Sequence, residues 1–164
     1  MKLSELRIHP IKSCAALSLS SASVEPRGLA HDRRWMVVDA SGRFVSGRES
    51  PAMVRVNATP TPTGMHLDAP DSDSLDVATP EPDAMRRRVA VWDDEVEALD
   101  AGDAAAAWFS RRLGRTVRLV HMDAAARRRV NPARARPEDE VSFADGYPLL
   151  LISQGSLDAL NARL

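Results

Sequence analysis

The sequence predicts a β-rich α/β chain that opens with a barrel-like sheet and ends with one or two helices. Three observations carry that expectation. Across the first hundred residues, apolar side chains recur at period two in short stretches, the signature of half-buried strands. Turn-forming residues separate those stretches at short intervals, which suits an all-β barrel or sandwich. At Asp103 the pattern changes to helix formers. With 164 residues, 44% hydrophobic and 27% charged, the chain can bury a real core. On a prior of about 150 residues per domain it is one domain, or one and a fraction.

The elements follow in order. Leu6 and Ile8 alternate before Pro10, and Leu17 and Leu19 before Ser20-Ser21. Trp35 to Val38 is a continuous apolar run closed by Asp39-Ala40-Ser41-Gly42, a hairpin-type signal, after which Phe44 and Val45 resume. Val54, Val56 and Ala58 alternate up to the turn Pro60-Thr61-Pro62-Thr63-Gly64. Met65 with Leu67, Leu75 with Val77, Val89 with Val91 and Val96 with Ala98 complete the series. A helix is expected near 103–113, with Asp103 placed to cap it, Ala104 to Ala107 favouring it and Gly114 suited to end it. Thr116 to His121 reads as a strand, and the aperiodic Ala/Arg/Pro-rich stretch 122–137 as a mobile loop. Pro148 to Ile152 reads as a buried strand, and Ser153 as the cap of a final helix with Leu157, Leu160 and Leu164 at helical spacing. An interrupted domain is expected there, its leucine stripe covered by self-association.

Composition narrows the function. A net charge of −1 argues against a dedicated nucleic-acid binder. The single cysteine, Cys14, excludes an internal disulfide framework and any Cys-rich metal site. The N-terminal residues lack an apolar signal stretch, and Leu149 to Ile152 falls far short of the roughly 20 residues a membrane helix needs. A soluble cytoplasmic protein is expected, in which the sequon Asn57-Ala58-Thr59 is inert. The four histidines are widely spaced, which speaks against a histidine-based metal site. No G-x-S-x-G, G-x-G-x-x-G or P-loop occurs. Arg86-Arg87-Arg88 and Arg127-Arg128-Arg129 lie near acidic neighbours and read as solvated faces, with phosphate contact as the alternative.

Two segments carry more information. The first is His9-Pro10-Ile11-Lys12-Ser13-Cys14 with Gly28-Leu29, Asp32-Arg33-Arg34-Trp35-Met36-Val37, Gly42 to Arg48 and Pro51 downstream. The second is Phe143-Ala144-Asp145-Gly146-Tyr147-Pro148 running into Ser153 to Asn161. Together, and in order, they closely resemble MOSC-domain proteins that begin with a MOSC N-terminal β-barrel. That family includes the mitochondrial amidoxime-reducing component and its bacterial relatives, and shares its MOSC module with molybdenum cofactor sulfurase. The resemblance implies a barrel domain over 1–120 and the beginning of the MOSC domain over 121–164. It also implies a molybdopterin-type molybdenum cofactor, a redox partner supplying electrons, and either reduction of N-hydroxylated compounds or sulfur transfer.

By the same resemblance, cofactor contacts fall on Lys12, Ser13, Arg33, Gly146 and Tyr147. The chemistry agrees with this. A cofactor ending in phosphate wants a lysine point charge, a hydroxyl and an arginine fork. Of the 22 basic residues only Lys2 and Lys12 are lysines, so Lys12 stands out. Read from the residues alone, Lys12-Ser13 is an exposed turn, and Arg33 is equally a cofactor contact or the partner of Asp32 or another barrel carboxylate. Trp35 reads as barrel core, and Arg48 as either an anion contact or an ion pair. The family's Arg-Pro-Asn segment and its molybdenum-ligating cysteine would lie beyond Leu164. Cys14, part of the Lys-Ser-Cys motif, reads instead as a small residue packed beside the turn, so no metal ligand and no catalytic residue is assigned. The alternative function is a non-catalytic barrel module for binding or interaction that never carries molybdenum.

Overall fold

The run Trp35 to Val38 is apolar throughout because the strand it forms is buried on both faces. In the computed structural model, which describes residues 2–164, Trp35 and Val37 enter one core and Met36 and Val38 another. This strand, β5, follows four two-residue strands: β1 (Arg7–Ile8), β2 (Leu17–Ser18), β3 (Val24–Glu25) and β4 (Gly28–Leu29). After it come a 3-10 turn (Pro51–Arg55), β6 (Asn57–Thr61), β7 (Gly64–Asp68), β8 (Leu75–Ala78), β9 (Arg86–Val91) and β10 (Asp94–Asp100). Helix α1 (Asp103–Leu113), β11 (Val117–His121) and helix α2 (Gln154–Asn161) complete the chain. The chain is β-rich with two helices, as its sequence predicts.

The central sheet runs β5-β11-β10-β9, all antiparallel. Residues 42–45 then bridge its two edges. On one side Asp39 N donates to Arg43 O (2.9 Å) and Val45 N to Val37 O (2.8 Å); on the other, Phe44 N donates to Ala90 O (3.0 Å) and Ala90 N to Gly42 O (2.8 Å). Residues 42–45 thereby close the sheet into a small barrel, in which β10 meets β11 only at Leu99 and Asp100. Its interior holds Met36, Val38, Val89, Val91, Val96, Ala98 and Val120, with Phe143 among them. The second core lies between α1, the β6-β7-β8 sheet and the outer face of β5 and β11, around Trp108, Phe109, Met53 and Leu119. Burying an aliphatic or aromatic side chain of this kind contributes about 1.5–3 kcal/mol, so these two clusters dominate the folding free energy.

Four expectations need correction. Pro148–Ile152 is irregular and exposed, Leu150 by 88%, because no described segment offers it a strand to pair with. Residue 103 does not cap α1; Gly102 takes that position at φ +88°, and Asp103 lies in the first turn paired with Arg118. Val54 belongs to the 3-10 turn that Pro51 initiates, not to an alternating strand. Arg128 is buried rather than on a solvated face. Its guanidinium donates to the carbonyls of Ser142, Ala144 and Asp145 and to Asp94, pinning the otherwise irregular 122–145 stretch to the barrel. Ser153 does cap α2, accepting from Ser156 N at 3.1 Å. The leucines of α2 face no partner: Leu157 is half-buried, while Leu160 and the trailing Leu164 are exposed.

Candidate functional site

Residues 9–14 form a tight turn held against the start of β5. Lys12 N donates to Trp35 O (2.9 Å), Cys14 N to Ile11 O (3.2 Å) and His9 N to the Asp32 carboxylate (2.7 Å). Ser13 closes the turn at φ +68°, a left-handed conformation that non-glycine residues seldom adopt. The turn aims the Lys12 side chain at one end of the barrel. There its ammonium, only 5% exposed, donates to Phe143 O (2.9 Å) and Asp145 Oδ1 (2.6 Å). It also lies 5.1 Å from the Phe44 ring centroid and 5.6 Å from that of Trp92, within range of cation–π attraction. Trp92 Nε1 donates to the same Asp145 oxygen at 3.1 Å.

The electrostatics follow from this enclosure. Burial pushes the Lys12 ammonium below its usual value, against the opposing pull of Asp145; Arg128 and Arg33 push it further down. For Asp145, burial acts upward, but hydrogen bonding and attraction from Lys12, with help from Trp92 and Arg33, hold the carboxyl below the usual range. The Asp145 side chain is nonetheless 76% exposed. A nearly dry ammonium is thus covered by one solvent-facing carboxylate.

Arg33, at φ +50°, places its guanidinium against Asp32 (2.5 Å) and leaves it 31% exposed. Its backbone joins the same cluster, since Phe143 N donates to Arg33 O at 3.0 Å. Ser13 is half-buried beside Gly47. Gly146 and Tyr147 directly follow Asp145, with Tyr147 exposed by 48%. Pro148 then packs on Gly28, where an added Cβ would lie 2.7 Å from the Pro148 carbonyl oxygen. The structure therefore brings Lys12, Arg33 and the 143–148 segment to one end of the barrel. Arg48 is exposed and sits apart from these contacts.

Sequence reasoning did not nominate Asp145, Trp92, Phe44 or Arg128. Asp145 was visible inside a quoted motif, whereas Arg128 is indistinguishable in sequence from Arg127 and Arg129 on either side. Cys14 is packed into the core, and burial pushes its thiol up to about 12, so it is neither a thiolate nor a nucleophile at neutral pH. Among the described residues no three His, Cys, Asp or Glu side chains converge as a metal site, and no helix is long and apolar enough to cross a membrane.

Comparison with known proteins agrees with this architecture. The model of the MOSC N-terminal beta barrel domain matches residues 1–116. Mitochondrial amidoxime-reducing component 1 of Xenopus laevis is 30% identical over 99% of this chain and 50% of its own length. The Mus musculus protein of the same name is 34% identical over the same shares. The chain thus spans about half the length of the curated relatives it matches. A Bordetella bronchiseptica protein of known solution structure aligns with a TM-score of 0.49 and 22% identity, over 64% of this chain and 90% of that one. The family model, which covers well over half of the chain, and the curated relatives show that the chain belongs to the family of proteins with a MOSC N-terminal β-barrel domain.

Proposed function

We propose that this chain supplies the anion-binding end of a molybdenum-cofactor site in a protein that reduces N-hydroxylated compounds. Within it, residues 1–120 form the barrel domain and 121–164 the beginning of a MOSC domain. The single observation that supports this reading is the cluster at the barrel end. Lys12 has three N–H donors, of which Phe143 O and Asp145 take two, and the Arg33 guanidinium reaches solvent beside it. This donor set fits a phosphate-ended pterin. A dianion arriving there exchanges with the exposed Asp145 carboxylate on Lys12, while the Arg33 fork and the Ser13 hydroxyl add charge-assisted hydrogen bonds. Gly146 and Tyr147 offer backbone contact as Asp145 turns outward. The cofactor, when bound, supplies the two-electron chemistry for N–O reduction, and a redox partner supplies the electrons. The buried free thiol of Cys14 is compatible with a reducing compartment such as the cytoplasm.

Titration of molybdopterin-type cofactor against the native chain and the Lys12→Ala and Arg33→Ala variants tests the proposal. Loss of one charged hydrogen bond should weaken binding by about 1.5–3 kcal/mol in each variant. Equal affinity in all three would withdraw the site. No binding at all would leave the non-catalytic barrel module as the better reading.

A further inference from the structure

At the end of the barrel opposite Lys12 lies a second polar cluster that the proposed site does not use. Register places it: Arg87 pairs with Ala98, Asp100 with Val120 and Arg118 with Val38, so all three charged residues project from the sheet face that forms the barrel interior. Asp100, whose side chain is only 6% exposed, is held by both arginines. It accepts from Arg87 Nε, from Arg118 Nε (2.5 Å) and Nη2 (2.7 Å), and from Gly102 N (2.8 Å). Four such bonds use its full accepting capacity.

The two guanidiniums are therefore fixed in place and not equally consumed. Arg118 also reaches Asp103 (2.9 Å). Arg87 is bound to the protein through Nε, and among the described residues its two terminal nitrogens have no acceptor although the side chain is 36% exposed. Arg87 is among the residues that line a half-open cavity of about 530 Å³ between the 39–42 turn, β9, the start of β11 and α1, within the size range of small-molecule sites.

Four arginines border the cavity, and each is paired with a carboxylate. Arg86, Arg87, Arg88 and Arg118 all contribute, with Asp39 the one carboxylate. Asp39 is turned back on its own loop, accepting from Ser41 N (2.8 Å), Ser41 Oγ (2.7 Å) and Arg43 N (3.0 Å). Arg86 holds Asp123 through both terminal nitrogens (3.2 and 2.6 Å) and Arg88 pairs with Glu95, and alternation along β9 turns both side chains to the face away from Arg87. The facing wall is the small apolar surface of Ala106 and Ala107.

We propose that this cavity binds a phosphate monoester with a small apolar body. The phosphate would take the free fork of Arg87 as a bidentate partner, with the Thr116 hydroxyl beside it, and the organic group would lie on the alanine wall. Phosphate is favoured over carboxylate because its oxygens can take both terminal nitrogens of Arg87 and the Thr116 hydroxyl together.

Phenyl phosphate titrated into isotope-labelled native protein, followed by amide NMR shifts, tests this. The expected result is saturable shifts at Thr116 to Arg118 and Ala106 to Ser110, reversed by salt. Arg87→Gln should weaken binding about tenfold or more. Ala107→Glu, which adds a carboxylate to the wall without touching the Asp100 pairs, should abolish it while thermal unfolding stays native-like. Absence of saturable shifts, or shifts centred on Asp145 and lost in Lys12→Ala, would overturn the proposal. So would unchanged affinity in Ala107→Glu. Benzoate binding as tightly as phenyl phosphate would overturn the choice of a phosphate ligand.

Discussion

His121 offers a sharp test of how burial governs this fold. Its ring lies 4.4 Å from Trp35 at 45°, wedged at the end of β11, and its Nδ1 has no hydrogen-bond partner. Burial pushes the imidazole down to about 4 from an ordinary 6.5; Asp123 pulls it back up, while Arg34 and Arg27 push it down further. Between those values the unfolded chain binds a proton that the folded chain refuses, so stability must fall as pH drops through that window. At 1.36 kcal/mol per pH unit of difference, the loss between pH 7 and pH 5 comes to about 2 kcal/mol. The carboxylates that the fold holds below their usual range contribute mainly at lower pH and cancel in a comparison of variants. The measurement is urea unfolding by tryptophan fluorescence at both pH values, for the native chain and His121→Phe. Phenylalanine keeps the stacked ring and forfeits no Nδ1 hydrogen bond. The native chain should lose about 2 kcal/mol more than the variant on acidification. Equal losses, or an NMR titration of His121 with a midpoint near 6.5, would refute the reasoning.

Other consequences are as direct. Asp100 is held below the usual carboxylate range by Arg118, Arg87 and Gly102 N despite its burial, so its contribution is present at neutral pH and lost as pH falls beneath that range. Asp100→Asn should cost about 2–3 kcal/mol in urea denaturation at pH 7, at the low end for a broken ion pair because both arginines reach solvent; the cost should shrink in acid. Gly28 has φ +108° and no room for a Cβ beside Pro148, so Gly28→Ala should destabilise by about 1–3 kcal/mol in thermal unfolding and shift the amide resonances of 146–148. Leu160 and Leu164 are exposed at the C-terminal helix, and the self-association expected through its leucine stripe should appear in light scattering at high concentration and diminish in a Leu157→Ser/Leu160→Ser double variant.

What the sequence determined by itself was the set of local patterns and one linear motif. Period two placed β7 to β10, because a strand buried on one face must alternate whatever it packs against. The unbroken run Trp35 to Val38 marked a buried strand, since a strand covered on both faces has no polar side to alternate with. Helix α1 followed from its alanines, and the Lys-Ser-Cys turn pointed to the family. Tertiary structure decided everything that depends on a partner distant in the chain. Pro148 to Ile152 carries strand-like apolarity yet forms no strand, since a strand exists only where another backbone offers hydrogen bonds. Arg127, Arg128 and Arg129 are equivalent as letters; only the convergence of three carbonyls from 142–145 makes the middle one a buried pin. Residues 42–45 close the barrel by joining β5 to β9, a pairing that no local pattern announces. Lys12 owes its dry, aromatic-lined seat to Phe44, Trp92, Phe143 and Asp145, residues up to 133 positions away along the chain. Periodicity is a local property of the backbone, whereas burial and charge pairing are set by long-range contacts, and the candidate site is made of the latter.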